Sequence, residues 1–188
     1  MRKLVLHVGF HKTGTSSIQR VLSENRLKLQ SYGILYPKTG LGGDSHSILA
    51  KCLNDKNIHA APQTTALYQS LAKEIQSSSC HTSVISSECF LEGISLSKLR
   101  QALSTLNVDF EVFFYVRDRL AWLESLFPEI IRDSSRRYTG EVRTMREIRN
   151  HSLDFNQIVK HWVDAVGSEN VSVRFFDSSA FESGFIED

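Results

Sequence analysis

Two periodicities take turns along this chain. Short runs dominated by apolar and β-branched residues recur at Lys3–Val8, 82–86, 110–116 and 171–176. Runs of that length, closed by glycine or polar residues, predict strands buried on both faces of a parallel sheet. Between them the spacing turns helical. From Thr15 onward Ile18, Val21, Leu22 and Leu29 fall near one face, with Gly33 as a natural stop. Further helices are expected at 47–53, 64–75, Leu96–Leu106 (with a leucine-rich face), 120–131 and Phe155–Val166. Strands alternating with helices imply right-handed crossovers, so the expected fold class is α/β: a three-layer sandwich around a mainly parallel sheet.

The pattern supports a single domain over residues 1–188. It closes on Phe185-Ile186-Glu187-Asp188 without a final element, from which a missing C-terminal portion is expected. The stretch 133–149 is polar and weakly periodic, and with Arg132 it carries Arg136, Arg137, Arg143, Arg146 and Arg149. It reads as a solvated, partner-facing segment, or as a cationic wall for an acidic acceptor.

Composition narrows the function classes. With 188 residues, 41% of them hydrophobic, the chain can bury a core without disulfides. A formal net charge of +1 excludes a general nucleic-acid binder, so any anion site must be local. Cys52, Cys80 and Cys89 have neither zinc-site nor redox-pair spacing, and buried free thiols in a reducing, cytoplasmic setting are expected. The apolar start Leu4-Val5-Leu6 is broken by His7, too soon for a secretory signal, and no window approaches the roughly 20 apolar residues of a membrane span. No histidine, cysteine and carboxylate group has metal-ligand spacing, so no metal is expected.

The chemistry gathers where the first strand meets the first helix. Gly9-Phe10-His11-Lys12-Thr13-Gly14-Thr15-Ser16-Ser17 points backbone N–H groups and the positive end of a helix at one place. Gly9 permits a sharp turn and Gly14 a close backbone approach. Thr13, Thr15, Ser16 and Ser17 offer hydroxyl donors and Lys12 a mobile cation. This anion cradle is not a Walker A motif, because the lysine precedes the inner glycine. A second anion site is expected at Arg117, which follows the strand Phe113-Phe114-Tyr115-Val116. Carboxyl ends of strands are where open α/β sheets gather ligands. Ser125 lies roughly two helical turns further on. The guanidinium fork suits phosphate, and the serine adds a hydroxyl.

The loop Val8-Gly9-Phe10-His11-Lys12-Thr13-Gly14-Thr15-Ser16-Ser17-Ile18-Gln19 resembles the 5'-phosphosulfate-binding loop of sulfotransferases, above all bacterial and carbohydrate-type members. The strand, arginine and serine resemble that family's 3'-phosphate segment. The resemblance implies a P-loop-like fold and the co-substrate 3'-phosphoadenylyl sulfate (PAPS), with 3',5'-ADP (PAP) as product. It implies an enzyme that moves a sulfuryl group to a hydroxyl or amine of a carbohydrate or small metabolite, such as an anionic or neutral glycan. Lys12 would stabilise the leaving oxygen, and Thr13, Gly14, Thr15, Ser16 and Ser17 would hold the 5'-phosphate. Arg117 and Ser125 would hold the 3'-phosphate. Ser16 and Ser17 replace a threonine and an often aromatic residue of many relatives, and the late basic, glycine-containing loop of many relatives is not found.

An acceptor hydroxyl needs a base within reach. Glu88, after Ser86-Ser87 in a context that carbohydrate-acting relatives share, is the first candidate. His46, after the glycine-rich stretch Gly40-Leu41-Gly42-Gly43-Asp44-Ser45, is the second. His7 and His11 read as structural. Two alternatives stay open: a P-loop kinase or nucleotide phosphotransferase, and a PAP- or PAPS-binding protein without catalysis.

Overall fold

The computed structural model describes residues 2–54, 61–91, 93–132 and 155–176. In chain order these form β1 (Lys3–Val8), α1 (Thr15–Glu24), α2 (Arg26–Ser31), β2 (Ile34–Leu35), α3 (Ser47–Cys52), α4 (Ala61–Ser77), β3 (Thr82–Ser87), α5 (Leu96–Leu106), β4 (Asp109–Val116), α6 (Arg119–Arg132), α7 (Phe155–Val166) and β5 (Val171–Phe175). Single 3-10 turns lie at Glu88–Phe90 and Ser168–Asn170. The stretch 133–149, expected to face a partner, lies outside the described residues.

All five strands join one parallel sheet in the order β2-β3-β1-β4-β5. β1 is the middle strand and is paired on both sides: Leu6 lies beside Ile85 and Val112, His7 beside Ser86 and Phe113. That position explains the unbroken apolar run, since a central parallel strand is covered on both faces.

The direction of each crossover decides which face its helix covers. The connection from β1 to β2 steps toward one edge of the sheet, and every later connection steps the other way. With right-handed crossovers, α1 lies on one face while α4, α5 and α7 lie on the other. The crowded face holds the apolar core: Leu4, Leu6, Val8 and Phe114 of the sheet are buried with Leu71, Ile75, Leu99, Leu106 and Trp162 of the helices. Rings of Phe90 and Phe114 meet Trp162 edge-on. The α1 face is more polar. There Gln19 Nε2 donates to Ser86 Oγ at 3.2 Å, and His7 Nδ1 lies 2.8 Å from the same oxygen.

The long helix expected from Thr15 is two helices. Asn25 sits between them at φ −102°, ψ 19°, and both its backbone N–H and its side-chain Nδ2 donate to the Val21 carbonyl, which closes α1. β2 was not visible in the hydrophobic pattern because it is two residues long. Cys80 is buried and Cys52 and Cys89 are half-buried; all three are free thiols. Among the described residues no helix is long and apolar enough to cross a membrane.

Candidate active site

β1 ends beside β3 at the carboxyl edge of the sheet, and the chain turns through Gly9–Gly14 into α1. Gly9 continues the ladder by one bond, N–H to the Ser87 carbonyl at 3.3 Å. A Cβ at Gly9 would stand 2.2 Å from Thr15 Cγ2 and 3.0 Å from Glu88 Cγ, so only glycine fits between strand end and helix start. Two residues on the turn are left-handed, Lys12 at φ 64° and Gly14 at φ 73°. For lysine that conformation costs about 1–2 kcal/mol and persists only where neighbours hold it.

Two neighbouring side chains hold it. Arg117 Nη1 donates to the Lys12 carbonyl at 3.3 Å, and the Trp122 indole Nε1–H donates to the His11 carbonyl at 2.9 Å. Inside the turn the Phe10 carbonyl accepts from two hydroxyls, Thr13 Oγ1 at 2.7 Å and Thr15 Oγ1 at 3.1 Å. The Phe10 ring is sunk in the core against Phe114 and Phe155. Thr13 and Thr15 are buried and spend their hydroxyls bracing the loop, so of the hydroxyls expected at the anion only those of Ser16 and Ser17 lie on exposed residues. The α1 N-terminus has no side-chain cap and no acidic residue in its first turn, which leaves its first N–H groups to a ligand.

A cavity opens in front of that helix end. Its wall is formed by His11, Lys12, Gly14, Thr15, Ser16 and Ser17 from the loop and by Glu88 from across the sheet. Glu88 arrives there because β3 neighbours β1 in register, Val8 beside Ser87, and a 3-10 turn starts at once. The Ser87 hydroxyl accepts the Cys89 N–H at 3.1 Å and fixes that turn. Glu88 Oε2 then lies 3.1 Å from His11 Nδ1, with the two side chains 33% and 51% exposed. His11, read from sequence as structural, thus shares the cavity with the carboxylate. Strand order was the missing signal: only once β1 and β3 are known to be adjacent do residues 11 and 88 face each other.

His46, the second candidate base, does not line this cavity. Its backbone N–H donates to the Ser86 carbonyl at 2.8 Å, its Nδ1 accepts the Ser86 N–H at 3.2 Å, and its Nε2 faces the Pro37 carbonyl at 3.0 Å. The proton therefore sits on Nε2, and both ring nitrogens are committed. Tyr36 packs edge-on at 4.6 Å, and burial pushes the imidazole down to about 4. The residue completes the edge of β3 just beyond the end of β2. His7 is buried as expected, and burial likewise holds it at about 4.

Arg117 follows directly on β4, half-buried, with its guanidinium carbon 5.8 Å from the centre of the Phe176 ring. Ser125 is half-buried on α6. The structure brings Arg117 to the backbone of Lys12, but neither Arg117 nor Ser125 lines the loop cavity. Among the described residues no group of three or more His, Cys, Asp or Glu is gathered as a metal site would require.

No protein-family model matches the chain, and no curated protein is a significant match. Among solved structures, a sulfotransferase from Alicyclobacillus acidocaldarius is similar at a TM-score of 0.55 and 18% sequence identity, over 94% of this chain and 74% of that one. The chain has the α/β fold of a sulfotransferase.

Proposed function

We propose that this protein transfers a sulfuryl group from PAPS to a hydroxyl or amine of a carbohydrate or small metabolite and releases PAP. The observation that carries the reading is the single cavity in which Lys12, the uncapped start of α1 with Ser16 and Ser17, and the Glu88 carboxylate meet. The 5'-phosphate fits the α1 N–H groups and the two serine hydroxyls. Arg117 and Ser125 take the 3'-phosphate, with Arg117 already lying against the loop.

In the transfer step the acceptor oxygen or nitrogen attacks sulfur in line with the bridging oxygen. A new bond to sulfur forms, the bond from sulfur to the bridging phosphate oxygen breaks, and its electron pair stays on PAP. Lys12 and the loop N–H groups stabilise the charge that develops there, and Glu88 accepts the acceptor's proton. The three free thiols support placing the enzyme in a reducing compartment such as the cytoplasm.

A kinase would instead place a hydroxyl directly after the loop lysine on Mg²⁺. Thr13 holds that position, buried and donating to the Phe10 carbonyl, which argues against the kinase reading. Calorimetry tests the choice. Binding of 3',5'-ADP in the presence of a chelator is expected; preference for Mg·ATP overturns the proposal. Lys12→Ala should keep nucleotide binding within about tenfold and lose at least about a hundredfold in transfer. A wild-type chain that binds 3',5'-ADP and transfers nothing across a panel of hydroxyl and amine acceptors would be a binding protein.

A further inference from the structure

We infer that His11 is a positioning residue for the base: its Nδ1–H holds Glu88 Oε2 and leaves Oε1 to meet the acceptor's proton. The inference rests on the sulfuryl-transfer reading and names a second side chain in its proton step.

The geometry has three parts. The contact itself is 3.1 Å, between groups that both line the cavity. Each partner is also held from behind. The His11 carbonyl accepts the Trp122 indole N–H at 2.9 Å, and Glu88 heads a 3-10 turn whose Leu91 N–H returns to the Glu88 carbonyl at 3.0 Å. Finally, the pair is part-exposed, so as an ion pair it adds little to stability, and its value lies in orientation.

A glutamate ending in open solvent samples several rotamers, and a base must lie within hydrogen-bond reach of the proton it takes. Fixing one carboxylate oxygen aims the other. The Nδ1–H donor is present in the imidazolium and in the matching neutral tautomer, so the hold survives deprotonation of the ring. When the acceptor's O–H or N–H bond breaks, the proton passes to Glu88 Oε1. The carboxylate becomes the neutral acid while the electron pair of the broken bond forms the new bond to sulfur. His11 neither gains nor loses a proton in that step.

The test uses the full chain with PAPS and any acceptor that the wild type sulfates, comparing His11→Ala with His11→Asn, whose amide N–H reaches the position of Nδ1–H. His11→Ala is expected to bind 3',5'-ADP within about threefold of wild type and to keep its KM for PAPS. Its kcat should fall about ten- to a hundredfold, the scale of a misplaced catalytic group. His11→Asn should recover most of kcat. Wild-type kcat in His11→Ala would overturn the inference while leaving sulfuryl transfer intact. So would a loss confined to nucleotide binding and shared by both variants, since that describes a loop residue only. Failure of the wild type itself to bind 3',5'-ADP or to transfer sulfuryl overturns the functional reading, and this inference with it.

Discussion

Arg117 donates to the backbone carbonyl of Lys12 across 105 positions of chain, joining the end of β4 to the loop that follows β1. The side chain read as the anchor of the 3'-phosphate therefore also touches the lysine at the other end of the proposed nucleotide. Arg117→Ala should weaken 3',5'-ADP binding at least tenfold, in line with the roughly 1.5–3 kcal/mol of a hydrogen bond to a charged group. Arg117→Lys should recover only part of it, because an ammonium lacks the planar fork. Calorimetry with 5'-AMP separates the two roles. If AMP binding is untouched, Arg117 acts on the 3'-phosphate alone; if it falls too, the contact with Lys12 matters as well.

Trp122 offers a milder probe. Trp122→Phe keeps a ring in the core but removes the N–H that the His11 carbonyl accepts. A loss of about 1 kcal/mol in denaturant stability is expected, with a severalfold drop in 3',5'-ADP affinity as the loop relaxes. Unchanged affinity would mean the loop keeps its shape without this bond.

Gly9→Ala forces a methyl group onto Thr15 Cγ2. Overpacking of this kind costs about 1–3 kcal/mol, and urea denaturation should show it. Thr15→Ser removes the clashing carbon and keeps the hydroxyl, so the double variant should be more stable than the sum of the two single changes predicts. Simple additivity would show that the strain is relieved elsewhere.

Much of the fold could be read from the chain, and the reasons are local. β1, α5 and α7 end where the hydrophobic pattern ends, since long runs on a buried face leave little choice. The break at Asn25 leaves no mark in the pattern, because apolar positions continue on both sides of it and no glycine or proline signals it. The site was legible in residue types but not in directions. Whether a threonine hydroxyl faces a ligand or its own loop depends on the left-handed turn at Lys12, which no residue identity announces. His46 looked available because it follows a glycine-rich stretch; which ring nitrogen meets which strand is decided by sheet order.

The two buried histidines make a pH prediction. His46 and His7 are both held near 4 by burial, against an ordinary 6.5. Both rings stay neutral in the folded chain at pH values where the unfolded chain protonates them. Between about 6.5 and 4 the unfolded state binds more protons, so stability is complete above that window and falls as pH drops through it. At pH 5 the loss is on the order of 2 kcal/mol per histidine relative to pH 7.5. Urea midpoints at the two pH values measure it. A flat profile would mean that the rings reach water, and His46→Gln should remove its own share of the slope.

The Phe10 carbonyl, gripped by two threonine hydroxyls, means that the loop takes its shape when the protein folds rather than when a ligand arrives. Docking onto such a rigid socket freezes few backbone torsions, and the entropic penalty of association is correspondingly small. Capture would then proceed at a rate set by diffusional encounter and charge, with no slow rearrangement standing between collision and complex.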